Sequence, residues 1–120
     1  MSDSRVRLGR QGEELAVREL KRRGYEIEAR NWRCRAGEAD VVACRDDVWT
    51  FFEVRTRRGL AYGTPEESLT EEKKDRMLHV ALAFLAENGL VANDWRLGFV
   101  AVEMDRSGRL MRVEVYDTIG

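Results

Sequence analysis

Asp40 and Glu53 are the residues of this chain whose type and setting most plainly imply chemistry. Val, Ala and Cys surround Asp40, and Trp, Phe and Val surround Glu53. Each carboxylate therefore stands where a half-buried strand should carry a hydrophobe, and a buried carboxylate needs a partner. Between the two runs, Arg45-Asp46-Asp47-Val48 reads as a hairpin turn. Whether that loop holds two residues or four, Asp40 falls opposite Glu53 on one face. Directly opposed side chains have Cβ atoms roughly 4.5–5.5 Å apart, and like charges there repel unless something positive lies between them. Mg²⁺ or a similar hard ion suits two acids and the carbonyl beside Glu53. An ordinary charged sheet face with a cross-strand ion pair explains the same spacing equally well. The same register sets Glu38 opposite Arg55, with Arg57 further along that face.

Two helices and three further strands must hold this hairpin. Arg5 to Arg23 reads as a helix with Leu8, Gly12, Leu15, Ala16 and Leu20 on one side and Gly24 as its stop. Glu13 lies beside that apolar side and is either directed along the packing surface or paired with a neighbouring arginine. Gly9 and Gly12 cost helix stability in isolation, which points to close approach of another backbone or a ligand. Tyr25 to Ala29 reads as a strand, and Arg30-Asn31-Trp32-Arg33-Cys34-Arg35 as a polar connection. Arginines around an indole can hold phosphates and stack a base; Trp32 fits a core position better, leaving the arginines as phosphate contacts. Thr56 to Ser68 forms a long connection, of a length often functional or mobile. A second helix starts near Thr70, with Ser68 or Thr70 as N-cap, Glu71 and Glu72 in its first turn, and Lys73, Lys74 and Arg76 in its polar half. Asn88-Gly89 ends it. Trp95 to Val102 is apolar on both alternating faces, as in a central strand. Arg106-Ser107-Gly108 turns the chain back, and Leu110 to Tyr116 alternates as an outer strand. The order is α-β-β-β-α-β-β, an α/β protein with a mixed sheet flanked by helices.

With 120 residues and 43% hydrophobic content, the chain fits a single domain, 1–120. It has no apolar run of membrane-spanning length and no signal-peptide pattern, so the expected location is cytoplasmic. Cys34, Cys44 and His79 make no convincing zinc set and read as structural. A net charge of −1 argues against gripping nucleic acid by bulk charge. Charge is uneven, however: residues 1–35 carry ten Lys/Arg against six Asp/Glu, and residues 36–120 carry eleven against sixteen. A local basic surface is compatible with that asymmetry, as is a solvated helix face.

Taken together, Gly12-Glu13, Asn31-Trp32-Arg33, Gly37-Glu38-Ala39-Asp40, Phe52-Glu53-Val54-Arg55-Thr56-Arg57, Gly63, Thr70 and Lys73 resemble the YraN family over nearly the whole chain. That family is read as a predicted endonuclease, similar in its motifs to archaeal Holliday junction resolvases and to the PD-(D/E)xK nucleases. The resemblance implies a restriction-endonuclease-like fold. It matches Asp40 to the motif aspartate, Glu53 to the second acid and Glu13 to the helix-borne acid. It further implies Mg²⁺ or Mn²⁺ held by Asp40, Glu53 and Glu13, and in-line attack of water on a DNA phosphodiester. Arg33, Arg35, Arg57 and Lys73 become nucleic-acid contacts, DNA, branched DNA included, becomes the partner, no membrane is involved, and a homodimer stays open. Two positions depart from the pattern. Where the family has Glu-Val-Lys this chain has Glu53-Val54-Arg55, and where a later strand usually reads Arg-Phe-Asp it has Arg96-Leu97-Gly98. Arginine can stabilise developing charge but cannot take a proton from water. The alternative is therefore a catalytically inactive nucleic-acid-binding module of the same fold; a third reading is a scaffold whose acids are structural.

Overall fold

The computed structural model describes residues 2–119. Helix α1 (Ser2–Arg22) is followed by strands β1 (Glu26–Cys34), β2 (Gly37–Arg45) and β3 (Val48–Arg58). A single 3₁₀ turn, Glu66–Ser68, precedes helix α2 (Glu71–Glu87), and strands β4 (Asp94–Met104) and β5 (Leu110–Tyr116) complete the order. The sheet runs β1-β2-β3-β4-β5. Only the central β3·β4 pair is parallel, and α2 is its crossover, because parallel neighbours cannot be joined by a tight turn. No helix among the described residues is long and apolar enough to cross a membrane.

The helices cover opposite faces of the sheet. Ala16, Val17 and Leu20 of α1 pack with Val41, Ala43, Phe52, Val100 and Val102. Val80, Ala81, Phe84 and Leu85 of α2 pack with Val42 and Phe51. Successive residues of β2, β3 and β4 thus enter different cores, which is why Trp95 to Val102 is apolar on both faces. Thr70 is the N-cap of α2, its hydroxyl accepting the Lys73 N–H at 3.1 Å. At the other end, Asn88 caps and Gly89 follows with φ +68°.

The β2–β3 turn is the two-residue form, with Asp46 and Asp47 at φ 53° and 64°. Those positive values match the type I′ turn whose twist suits a hairpin. Arg45 pairs with Val48 and Val41 with Phe52. At that point the ladder stops, one step short of Asp40 and Glu53, and beyond it β2 and β3 diverge. Ala39, just past the fork, leaves the alternation and joins Val42 on the α2 side.

Three expectations are corrected. Arg30 to Arg35 is not a connection, since β1 continues to Cys34. Ile27, Ala29, Trp32 and Cys34 face inward there while the arginines face out, a pattern that also protects an edge strand from pairing with another chain. Asn31, at φ 52°, breaks the regular run. Trp32 packs edge-on against Phe84, with ring centroids 5.1 Å apart. Second, β3 reaches Arg58, so the long connection begins at Gly59. Third, Glu38 pairs with Arg33 at 2.7 Å across β1·β2 rather than with Arg55, because β2 has left β3 by then.

At Gly12 α1 lies against Thr56 of β3. A Cβ there would lie 1.7 Å from Thr56 Oγ1 and 2.8 Å from Thr56 Cβ, so the helix rests on β3 only because the side chain is missing. Gly12→Ala should destabilise the protein by about 1–3 kcal/mol through overpacking. The urea midpoint should fall at constant slope; an unchanged midpoint would mean that α1 can ride further off the sheet at no cost.

The connection after β3 is held at both ends. The Gly59 N–H donates to the Met104 carbonyl at 2.8 Å, and Pro65 is fully buried. Glu66 accepts from Arg112 Nη1 and from the Tyr116 hydroxyl, both at 2.7 Å. Arg112 also meets Glu103 and Glu114. Its hydrogen bonds hold the Glu66 carboxyl down at about 2.

Candidate functional site

A cleft of about 520 Å³ opens at the fork between β2 and β3, with the first halves of α1 and α2 on either side. Asp40, Glu53, Glu38 and Glu13 line it together with Arg10, Arg55, Lys73 and Arg76. Pairing lapses here, and side chains take up what the strands leave. The Val54 N–H donates to Asp40 Oδ2 at 2.8 Å. Glu53, buried on the α2 side, has Arg55 Nη2 at 3.0 Å and Lys73 Nζ at 3.4 Å from the same oxygen, Oε2. Lys73 stands in the first turn of α2, whose start the Thr70 cap fixes.

Burial pushes the Asp40 carboxyl up to about 7, and the neighbouring Glu53 charge pushes in the same direction. Glu38 and Glu13 add smaller repulsions, and the Val54 N–H offsets only part of the total. The fork thus concentrates more negative charge on Asp40 than its own hydrogen bond compensates.

Glu13 reaches the cleft from α1, one residue beyond the close contact at Gly12. Its Oε1 accepts from Arg30 Nη2 at 3.0 Å and Asn31 Nδ2 at 2.9 Å. It is therefore braced by β1, and the irregular backbone at Asn31 is what turns that amide towards it. Among the described residues no three acidic, histidine or cysteine side chains converge as a ligand set. Asp40 and Glu53 are the pair best placed to bind a cation, with Glu13 behind them. Two carboxylates suit Mg²⁺, which usually keeps several waters and takes one or two carboxylates plus substrate phosphate oxygens.

The basic residues expected to contact nucleic acid divide. Lys73 belongs to the acid cluster. Arg33 is 80% exposed at its side chain and engaged with Glu38, and Arg35 is exposed at the β1–β2 turn, outside the lining of this cleft. Arg57 faces a second cleft, with Arg5, Arg58 and Tyr62. Arg10 is a cleft residue the sequence does not single out, and Arg76, expected only in the polar half of the second helix, also lines the cleft. Their signal was helical spacing, since each stands one turn from a cleft residue, Glu13 and Lys73.

The fold and the cleft define an α/β protein with a five-stranded mixed sheet, in which a buried Glu53 and a half-buried Asp40 sit among cations where two strands part. The family model described as Uncharacterised protein family UPF0102 matches residues 12–115. The chain belongs to that family, the one its motifs resemble under the name YraN. A UPF0102 protein of Roseiflexus castenholzii is 46% identical over 115 residues, covering 95% of this chain and 93% of the relative. One from Pelotomaculum thermopropionicum is 44% identical, covering 98% of both. A third, from Nocardia farcinica, is 48% identical and covers 81% of this chain and 76% of its own.

Proposed function

We propose that this chain is a metal-dependent endonuclease that hydrolyses phosphodiesters in DNA, branched or structured DNA included. The observation that carries this reading is the setting of Asp40 and Glu53 in one cleft at the fork, Glu53 buried and Asp40 half-buried, with Arg55 and Lys73 on the Glu53 carboxylate. An acid pair used only for structure gains nothing from a carboxyl that resists ionisation, whereas a cation would relieve both groups at once.

Asp40 and Glu53 would hold Mg²⁺ or Mn²⁺, which would supply Lewis acidity towards a phosphodiester and lower the pKa of water. The protein's own groups do the rest. Val54 fixes the Asp40 carboxylate through its N–H, so the acid stays oriented without a second side chain. Arg55 and Lys73 bring two positive charges to the place where a phosphate would gain charge during attack, the arrangement that stabilises a phosphorane-like transition state. Glu13, held by Arg30 and Asn31, keeps the helix side of the cleft acidic. Arg55 cannot accept a proton, so its part is electrostatic.

Duplex, single-stranded and four-way-junction DNA should be incubated with the protein in Mg²⁺, Mn²⁺ or EDTA. Cleavage in either metal and none in EDTA is expected. Metal binding by calorimetry without cleavage of any substrate would replace the enzyme with a binding module of the same fold, a reading favoured by the ion pair Arg55 already makes with Glu53. Neither binding nor cleavage would reduce the acids to structural groups.

A further inference from the structure

A second cleft, of about 510 Å³, lies on the α1 side of β3 and shares Gly9, Val54 and Arg55 with the first. Arg5, Arg57 and Arg58 line it, and no carboxylate does. The Nε atoms of Arg55 and Arg57 are both buried without a hydrogen-bond partner. Among the described residues Arg57 otherwise makes a 3.5 Å contact from Nη1 to the Thr56 carbonyl. Arg58 gives its Nε to the Arg106 carbonyl at 2.9 Å and keeps its outer nitrogens for other use. Tyr62 stands at the rim with 94% of its surface exposed.

Buried donors without partners are costly, and positive charge gathered without a counter-charge calls for an anion. Arg57 and Arg58 on β3 with Arg5 on α1, in a cleft that adjoins the one read as a phosphodiester site, fit successive phosphates better than one compact anion. An exposed ring that packs on nothing fits the flat face of a base. Bases in a duplex have their faces covered by neighbouring pairs, so the ring can stack only on an unpaired one.

We infer that the second cleft binds an unpaired nucleic-acid segment leaving the acidic cleft, with Arg57 and Arg58 on its phosphates and Tyr62 stacked on a base. This deepens the nuclease reading and rests on it for the strand's direction. The substrate it selects carries a single-stranded arm next to the bond to be cut.

The test is binding in EDTA, where no cleavage occurs, of a fluorescent twelve-nucleotide oligothymidine and of a blunt hairpin duplex whose loop is a non-nucleotide linker. Tyr62→Ala should weaken oligothymidine binding roughly tenfold, the scale of one base–aromatic stack, and leave the hairpin unaffected. Tyr62→Phe should bind as wild type. Arg57→Gln should weaken oligothymidine binding and lower its salt slope by roughly one, with a smaller effect on the hairpin. Equal oligothymidine binding by wild type and Tyr62→Ala, or equal losses for both ligands, overturns the assignment. Because no metal is present, a cleavage assay that fails with every DNA overturns the nuclease reading without touching this result, and the reverse holds as well.

Discussion

Asp40→Asn should abolish metal-dependent cleavage and, with metal removed, make the protein more stable at pH 8. Asparagine keeps the oxygen that accepts the Val54 N–H and removes the charge that burial and Glu53 oppose. The sign follows from proton binding. With its carboxyl raised to about 7 in the folded state, Asp40 holds a proton that the unfolded chain has released, so stability is full below the ordinary carboxylate range. It falls as pH rises through the window up to about 7, and the whole cost is present above it. The variant lacks this slope. In EDTA the two proteins should therefore differ little at pH 4, and the variant should melt several degrees higher at pH 8. Millimolar Mg²⁺ should raise the melting temperature of the wild type alone, by the equivalent of about 2.7 kcal/mol when the free ion is a hundredfold above its dissociation constant. Equal metal responses in both proteins, or a less stable variant at pH 8, would remove Asp40 from the site.

Arg55→Ala and Lys73→Ala should each lower the single-turnover cleavage rate by about 10²–10³ at saturating DNA, the usual effect of losing one preorganised charge contact. Both cations address the same Glu53 oxygen, so their effects share a partner and should not add. The double variant should lose less than the product of the two. Arg55→Lys should keep or increase activity, since it preserves the charge and restores the lysine of the family's usual motif. Full independence of the two losses would separate Arg55 and Lys73 into unrelated tasks. An inert wild type whose Arg55→Lys form cuts DNA would make the chain a binding module one substitution from a nuclease.

Much of the fold could be read from the residues because local rules and global packing agree. The Asp46-Asp47 turn, the Thr70 cap and the Asn88-Gly89 stop are short-range chemistry, and the doubly apolar Trp95–Val102 run needs a helix on each side. The fork could not be read. Alternation in β2 and β3 predicts Glu38 opposite Arg55, and nothing local says that pairing ends at Val41 and Phe52. Lys73 was legible as a helix residue, but its reach to Glu53 depends on how α2 docks. Gly98, a departure from the family pattern, has a packing reason: a Cβ there would come within 2.6 Å of the Phe52 ring. That ring stacks edge-on against Tyr25 with centroids 5.4 Å apart. An aspartate at 98 and this placement of Phe52 exclude one another.

The anchors of the connection after β3 bear on the entropy of recognition. Gly59 is pinned to Met104, and Glu66 to Arg112 and Tyr116. Even the span between them contains a turn, closed by the Gly63 N–H on the Leu60 carbonyl. An unanchored loop gives up about 1–2 kcal/mol of backbone freedom for each residue it orders. Here most of that loss is met when the chain folds, so a ligand stacking on Tyr62 finds a ring on a short, nearly set arc and needs to immobilise little beyond the side chain itself.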